Sequence, residues 1–512
     1  MSLPRFRYSQ LLRCSTRLSA KPSSLSRLRP FSAMASKQSQ GSSAYTPRYI
    51  DIGINLADPI FRGLYHGKQR HPDDLGAVIS RAKEVGCQKL IVTGSDLTNS
   101  KEALEIAKEY PGVVYTTAGI HPCSSAIFSS SHKPRASEGG EGHTEGQSTP
   151  CDPDPSQPIS EDHDACPKKT SQIIASLQNL IAEAQASTPG ALVAFGEFGL
   201  DYDRLHYCSR KVQLHSFAAQ LDLVLAMKPQ LPLFLHSRAA HADFVGLLKD
   251  KFGPRLERLE KGGVVHSFTG TAEEMRELMD LGLYIGTNGC SFKTAENCDV
   301  VKEIKLDRLM LETDGPWCEV RPSHEGGKYL VSKINADREA EAAAAAVAAA
   351  EAAEATEPQN DNVEAGEKPT QETPVLAAAT AALASASLAP PSSSTLGSSS
   401  SPGQTGTTAT TTTTTTTNSA GTNTPSTRTH TPGPKPRRKP PAPKQTKKEP
   451  EVPERWKSVK KEKWVEGAMV KSRNEPCMIE RVGTVVAAIK GVSVEEVCEA
   501  AWENTCRVFK LE

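Results

Sequence analysis

Between Tyr49 and Thr313 the chain repeats one pattern eight times: a short apolar run, then a stretch of helical character. The runs are Tyr49–Asn55, Lys89–Gly94, Val113–Gly119, Leu192–Glu197, Pro232–His236, Gly263–His266, Leu283–Thr287 and Arg308–Thr313. Most are continuously apolar rather than alternating, as strands buried on both faces are. Helical segments at Pro72–Val85, Asn99–Glu109, Thr170–Ala186, Ser209–Met227, Ala240–Lys251 and Ala272–Asp280 fall between them. Asp73 and Asp74 suit a helix N-terminus and Gly86 suits its stop. Eight strands alternating with helices predict an α/β fold, a (β/α)8 barrel of the TIM type. An open doubly wound sheet also alternates. It would be expected to carry a glycine-rich phosphate loop after its first strand, and none follows Asn55.

Two segments break the pattern and set the domain boundaries. The barrel spans 48–335. Within it, 129–169 is rich in Ser, Pro, Gly and acidic residues and reads as a long disordered loop after strand three. Residues 336–450 hold an Ala/Glu tract, a Ser/Pro stretch, the threonine run Thr410–Thr417 and a basic proline-rich end. Such a composition cannot bury enough apolar surface to offset its ordering entropy, and predicts a disordered insertion. Order is expected again over 451–512, where helices at Glu475–Ile489 and Val494–Lys510 would complete the barrel.

Composition excludes several classes. Lysine plus arginine equal aspartate plus glutamate at 60 each, so the whole chain is not a polyelectrolyte. No apolar run reaches the roughly 18 residues of a membrane helix. The 12 cysteines show no CxxC pair and read as reduced thiols of an intracellular protein. Charge is uneven only locally. Residues 1–47 are a basic tail and linker with no acidic residue; Arg5, Arg7, Arg13, Arg17, Lys21, Arg27 and Arg29 among serines have the composition of a mitochondrial presequence. A start at Met34 would remove it. The patch Lys435-Pro-Arg-Arg-Lys439 fits a nuclear-import signal or a nucleic-acid tether as well as a solvated linker. Location is therefore read as intracellular, either mitochondrial or nuclear/cytoplasmic.

The chemistry is carried by four strand ends. Glu197 ends strand four, His236 strand five and His266 strand six, and Asp314 follows strand eight. Barrels of this kind build their sites at the carboxyl ends of the strands, so these four would converge on one mouth. Two imidazoles and two carboxylates suit zinc or manganese, and magnesium where carboxylate and water dominate. Buried ionisable groups are costly unless paired or metal-bound, and four at the same end of the barrel are hard to assign to packing. His121, ending strand three, points to the same mouth and is a candidate to bind phosphate, protonate a leaving oxygen or orient a ligand. Arg238 suits a bidentate phosphate clamp. His241 is a further candidate for substrate contact, with helix capping as its ordinary alternative.

At these residues the sequence resembles the TatD family of metal-dependent deoxyribonucleases, in its eukaryotic branch. The stretches are Asp-Ile-Gly-Ile-Asn-Leu (51–56), Ala-Gly-Ile-His-Pro (118–122), Gly-Glu-Phe-Gly-Leu-Asp (196–201), His-Ser-Arg (236–238), His-Ser-Phe-Thr-Gly (266–270), Glu-Thr-Asp-Gly-Pro-Trp (312–317) and Arg-Asn-Glu-Pro (473–476). They occur in the family's order and span the barrel. The resemblance implies DNA hydrolysis by a 3′→5′ exonuclease path on single strands or frayed ends. It also implies two divalent ions, Mg2+ foremost with Mn2+ or Zn2+ as alternatives, and links to DNA repair and apoptotic DNA breakdown. It makes Glu197 the ligand bridging two metals, with His236, His266 and Asp314 completing the set; Asp314 would take the proton of the attacking water and His121 would assist the leaving oxygen. Related hydrolases often carry His-x-His after strand one; here the positions are Gly53 and Asn55, which leaves one metal with fewer protein ligands and Asn55 as a candidate substrate contact. The rival readings are a metal-dependent amidohydrolase or esterase acting on a small C–N or ester substrate, and a scaffold built on a relic barrel.

Overall fold

The computed structural model describes residues 45–132, 159, 164–354 and 452–511. The chain divides into Met1–Thr46 and Pro47–Glu512, and every described element lies in the second part. The presequence-like residues, the basic patch at 435–439 and most of both low-complexity segments lie outside the described residues.

All eight expected strands form, in one parallel sheet whose order follows the sequence. They are β1 (Tyr49–Ile54), β2 (Cys87–Val92), β3 (Val114–Ala118), β4 (Leu192–Asp201), β5 (Leu233–Arg238), β6 (Gly263–Val265), β7 (Tyr284–Thr287) and β8 (Leu309–Leu311). Between β8 and β1 the sheet closes through the residues just after β8. The Asp314 N–H donates to Gly53 O at 2.8 Å and the Asn55 N–H to Gly315 O at 2.9 Å. Buried Asp51 receives the Thr313 N–H at 2.9 Å, and its Oδ2 lies 2.5 Å from Thr313 Oγ1. Ile50, Ile52, Ile91, Val193, Phe234, Val264 and Met310 form a core cluster that Val508 and Phe509 join from the last helix and Leu511 from just beyond it.

The helices are α1 (Leu75–Glu84), α2 (Leu97–Glu109), α3 (Pro167–Ser187), α4 (Arg210–Ala226), α5 (His241–Phe252), α6 (Ala272–Asp280), α7 (Ala295–Glu303), α8 (Glu325–Glu354), α9 (Ile479–Lys490) and α10 (Val494–Phe509). Their starts follow local chemistry. Asp96 caps α2, Ser209 caps α4, and Thr271 with Glu274 forms a full capping box for α6. Asp74 is an exception: its carboxylate takes two hydrogen bonds from the Arg473 guanidinium instead of capping α1.

Two boundaries differ from the sequence expectation. Helix α8 runs past 335 to Glu354, because the Ala/Glu tract has high intrinsic helix propensity even where its side chains from Glu339 to Ala350 are exposed. The loop after β3 has a closed neck. Ser129 bridges Ala165, and Lys169 Nζ donates to Ser129 O and His132 O at 2.7 and 2.6 Å.

Candidate metal centre

Three side-chain atoms meet at the carboxyl ends of β4, β5 and β6. His236 Nδ1 lies 2.9 Å and His266 Nε2 2.5 Å from Glu197 Oε1, and the two nitrogens are 3.3 Å apart. All three side chains are buried. Two ring nitrogens and a carboxylate oxygen this close need a shared cation between them, a proton or a metal. The far side of each ring faces a carboxylate: Asp201 Oδ2 is 3.1 Å from His236 Nε2, within hydrogen-bond distance, and Glu312 Oε2 is 3.4 Å from His266 Nδ1, an ion-pair contact without hydrogen-bond geometry. A carboxylate behind an imidazole fixes its tautomer and leaves the front nitrogen's lone pair for a metal, the arrangement usual at metal-bound histidines. The donor set therefore fits a divalent ion.

Electrostatics agree with the geometry. Burial alone would raise the Glu197 carboxyl, but the His266 and His121 imidazoles overcome it and hold the group well below the usual range. Burial likewise opposes Asp201, yet its hydrogen bond to His236 brings it down to about 2. Both carboxylates are thus ionised at any physiological pH.

His121 completes the cluster from the end of β3, with Nε2 3.3 Å from Glu197 Oε1 and its ring edge-on to His236. His121, Glu197 and His236 together have the spacing of a metal-holding triad. Its hydrogen bonding argues for a different part. His121 Nδ1 accepts the Cys123 backbone N–H at 3.1 Å, so a neutral ring carries its proton on Nε2, facing Glu197. That nitrogen is a donor.

Asp314 stands beside this cluster. Its Oδ1 accepts from Asn55 Nδ2 at 3.1 Å and its Oδ2 from the Cys318 thiol at 3.1 Å. Among the described residues no hydrogen bond or ion pair joins it to Glu197, His236 or His266. Its backbone has φ 53°, and Ala239 and Ser267, just beyond His236 and His266, share that left-handed region. Non-glycine residues there are uncommon and gather at functional turns. Asn55 spends its amide on Asp314 Oδ1 and Gly315 O and accepts from Thr93 Oγ1. Arg238 ends β5 half-buried. His241 opens α5 with Nε2 2.9 Å from Glu277 Oε2 on α6, a contact between helices and away from the cluster.

Asp201 and Glu312 were not singled out as participants, although both lie inside quoted motifs. Asp201 ends the same strand, β4, that carries Glu197, and Glu312 directly follows β8, two residues before Asp314.

A family model described as "TatD related DNase" matches residues 50–364. The chain belongs to the TatD DNase family. "Deoxyribonuclease Tat-D" of Schizosaccharomyces pombe is 46% identical over 290 residues, covering 57% of this chain and 79% of that protein. "3'-5' ssDNA/RNA exonuclease TatD" of Erwinia tasmaniensis is 31% identical over 271 residues, 52% of this chain and 80% of that one. Among solved structures, an uncharacterized amidohydrolase from Saccharomyces cerevisiae has TM-score 0.55 at 27% identity, covering 90% of this chain and 100% of its own. A TatD family hydrolase from Entamoeba histolytica has TM-score 0.53 at 22% identity, covering 92% and 100%, a likeness of fold.

The absence of His-x-His from this TatD chain has a physical reason. A Cβ built on Gly53 would lie 2.5 Å from Glu312 Oε2 and 3.4 Å from the Phe234 ring. Glu312 is pinned by the Ser267 N–H at 2.5 Å. The space that a histidine on β1 would need is taken by the carboxylate that backs His266.

Proposed function

We propose that the chain hydrolyses DNA phosphodiester bonds, working 3′→5′ from single-stranded or frayed ends. The observation that carries this is the convergence of Glu197 Oε1, His236 Nδ1 and His266 Nε2 within 3.3 Å of one another, each imidazole backed by a carboxylate, in a chain of the TatD family. Glu197, His236, His266 and Asp314 would hold two divalent ions, magnesium foremost. When bound, such ions supply Lewis-acid charge to the phosphate oxygens and lower the pKa of a water toward about 7. Asp201 and Glu312 keep the two imidazoles oriented. Asp314, with one oxygen held by Asn55 and the other by the Cys318 thiol, accepts the proton of the attacking water. His121 offers its Nε2 proton to the departing oxygen. Arg238 clamps a non-bridging phosphate oxygen.

The test is digestion of an end-labelled single-stranded oligonucleotide with Mg2+, Mn2+ or Zn2+, with and without chelator, by wild type and Glu197→Ala. Stepwise shortening that needs metal and is lost in the variant is the expected result. No cleavage by the folded wild type under any of the three ions would remove the nuclease reading. The basic residues 1–34 would take the full chain to mitochondria, and a form starting at Met34 would stay outside them. Imaging of the two forms as fluorescent fusions tests this.

A further inference from the structure

On the same face as the metal centre, two segments remote in sequence come together. The first is the loop after β1, where Leu64–Tyr65 pairs with Lys68–Gln69 in a small hairpin. The second is the stretch before α9, where Ser458–Val459 pairs with Met469–Val470. They touch directly: Lys461 Nζ sits 4.6 Å above the Tyr65 ring, and the Trp464 indole stacks on His71 with centroids 5.2 Å apart. Both are anchored to the catalytic end. Arg473 NH1 donates to Ile60 O at 3.1 Å, and Asn474 Nδ2 donates to Thr313 O and Trp317 O at 2.9 and 2.7 Å.

The joint surface is basic and part of its charge is unspent. From Arg62 to His71 there is no acidic residue, and the stretch from Arg455 to Lys471 holds six basic residues against Glu462 and Glu466; Arg62 and Arg455 are paired, to Asp73 and Glu480. Lys68, Arg70, Lys460 and Lys463 are exposed, and among the described residues none of them makes an ion pair. On the barrel flank Lys228 pairs with Glu260 at 2.9 Å and half-buried Lys251 with Asp222 at 2.6 Å, whereas Lys83, Lys101 and Lys261 are exposed without an ion pair among the described residues, so it is the clustering of the four on two touching loops that distinguishes them. Four like charges on two adjoining loops create a local positive potential that attracts a polyanion. Trp317, three residues beyond Asp314, is 38% exposed although indoles are usually covered, and the Asn474 amide fixes its backbone. An exposed aromatic plane on the turn that Asn474 holds, with free cations on the two touching loops, is the chemistry that holds single-stranded nucleic acid, which stacks its bases and tracks its phosphates.

We propose that Lys68, Arg70, Lys460 and Lys463 bind the backbone phosphates of the single strand some nucleotides away from the bond being cut, with a base stacked on Trp317. The proposal rests on the nuclease reading for its choice of ligand and adds to it a strand-holding surface outside the metal centre. Salt-dependent affinity would come from this surface, and the metal centre would contribute the chemistry.

The experiment measures binding apart from cleavage. Anisotropy of a fluorescein-labelled single-stranded DNA 20-mer is followed on the full chain in chelator, across a salt series. The variant Lys68→Ala/Arg70→Ala/Lys460→Ala/Lys463→Ala is compared with Lys228→Ala/Lys251→Ala and with Trp317→Ala. The fourfold variant should weaken binding by more than tenfold near 0.1 M salt. It should also flatten the log–log salt slope by about 3, at roughly 0.7 per phosphate contact on a single strand. Trp317→Ala should weaken binding about tenfold with the slope unchanged. The flank variant should match wild type. Equal affinity and slope in the fourfold variant and wild type, or no binding by wild type, would overturn the proposal. Binding lost in the variant while wild type cleaves nothing under any metal would keep the surface and remove the nuclease. Cleavage by wild type with binding unchanged in the fourfold variant would do the reverse.

Discussion

His121 can be placed by one hydrogen bond. With the Cys123 N–H on Nδ1, the neutral imidazole presents a proton at Nε2, the donor that the proposed hydrolysis would use toward the departing oxygen. His121→Asn should lower kcat by about 100-fold or more, as loss of a positioned acid does, while calorimetry still detects metal binding. In the proposed metal centre, affinity would depend on the carboxylates behind the imidazoles. Asp201→Asn and Glu312→Gln are each expected to weaken Mn2+ binding by about 10–100-fold, and affinities equal to wild type would show that the imidazoles need no such support. That Glu197, His236 and His266 meet was legible in the sequence, since each closes an apolar run at the same end of the fold. Their backing groups were harder to read. Asp201 and Glu312 lie in the same motifs, but which imidazole each one meets depends on the stagger between neighbouring strands, which no run of letters states.

The seam between β1 and β8 is the element on which the site leans most. Asp51 is fully buried there, and burial drives its carboxyl up to about 8 against the opposing hydrogen bonds from Thr313. From about pH 4 to 8 the folded chain keeps a proton on Asp51 that the unfolded chain has lost, so stability from this group declines as pH rises across that window. Asp51→Asn removes the titration. The wild type should lose melting temperature relative to the variant between pH 5 and 8, and parallel curves would contradict the assignment. Gly53 faces inward at the same seam. Gly53→Ala should cost about 1–3 kcal/mol by overpacking against Glu312, read by urea unfolding, and should also loosen His266, read as weaker metal binding. Strand and helix order could be read from the sequence because periodicity is local. The departure of α8 from expectation has a local cause too: composition that argued for disorder also carries strong helix propensity, and propensity prevails as far as Glu354.

At the scale of the whole barrel, the long insertion separates pieces that function as one. Arg473 bonds Asp74 and Glu475, while Arg81 Nε donates to Glu475 at 2.8 Å, all four groups being buried. Removing one member leaves a buried charge without its partner, so Arg473→Ala should destabilise by about 3–5 kcal/mol in a denaturant titration. The sequence offered Arg-Asn-Glu-Pro as a motif and no hint of what it holds, because its partners lie almost 400 residues away (394 between Arg81 and Glu475). The next residue, Asn474, grips Thr313 and Trp317 on either side of Asp314. That grip orders events during synthesis. A ribosome that has finished Asp314 still has 159 residues to add before Asn474, roughly 10–30 s at common elongation rates. Throughout that interval the growing polypeptide carries Glu197, His236, His266 and Asp314 without the clasp on the turn at Asp314, so a complete cutting edge is expected only once the last part of the message has been read.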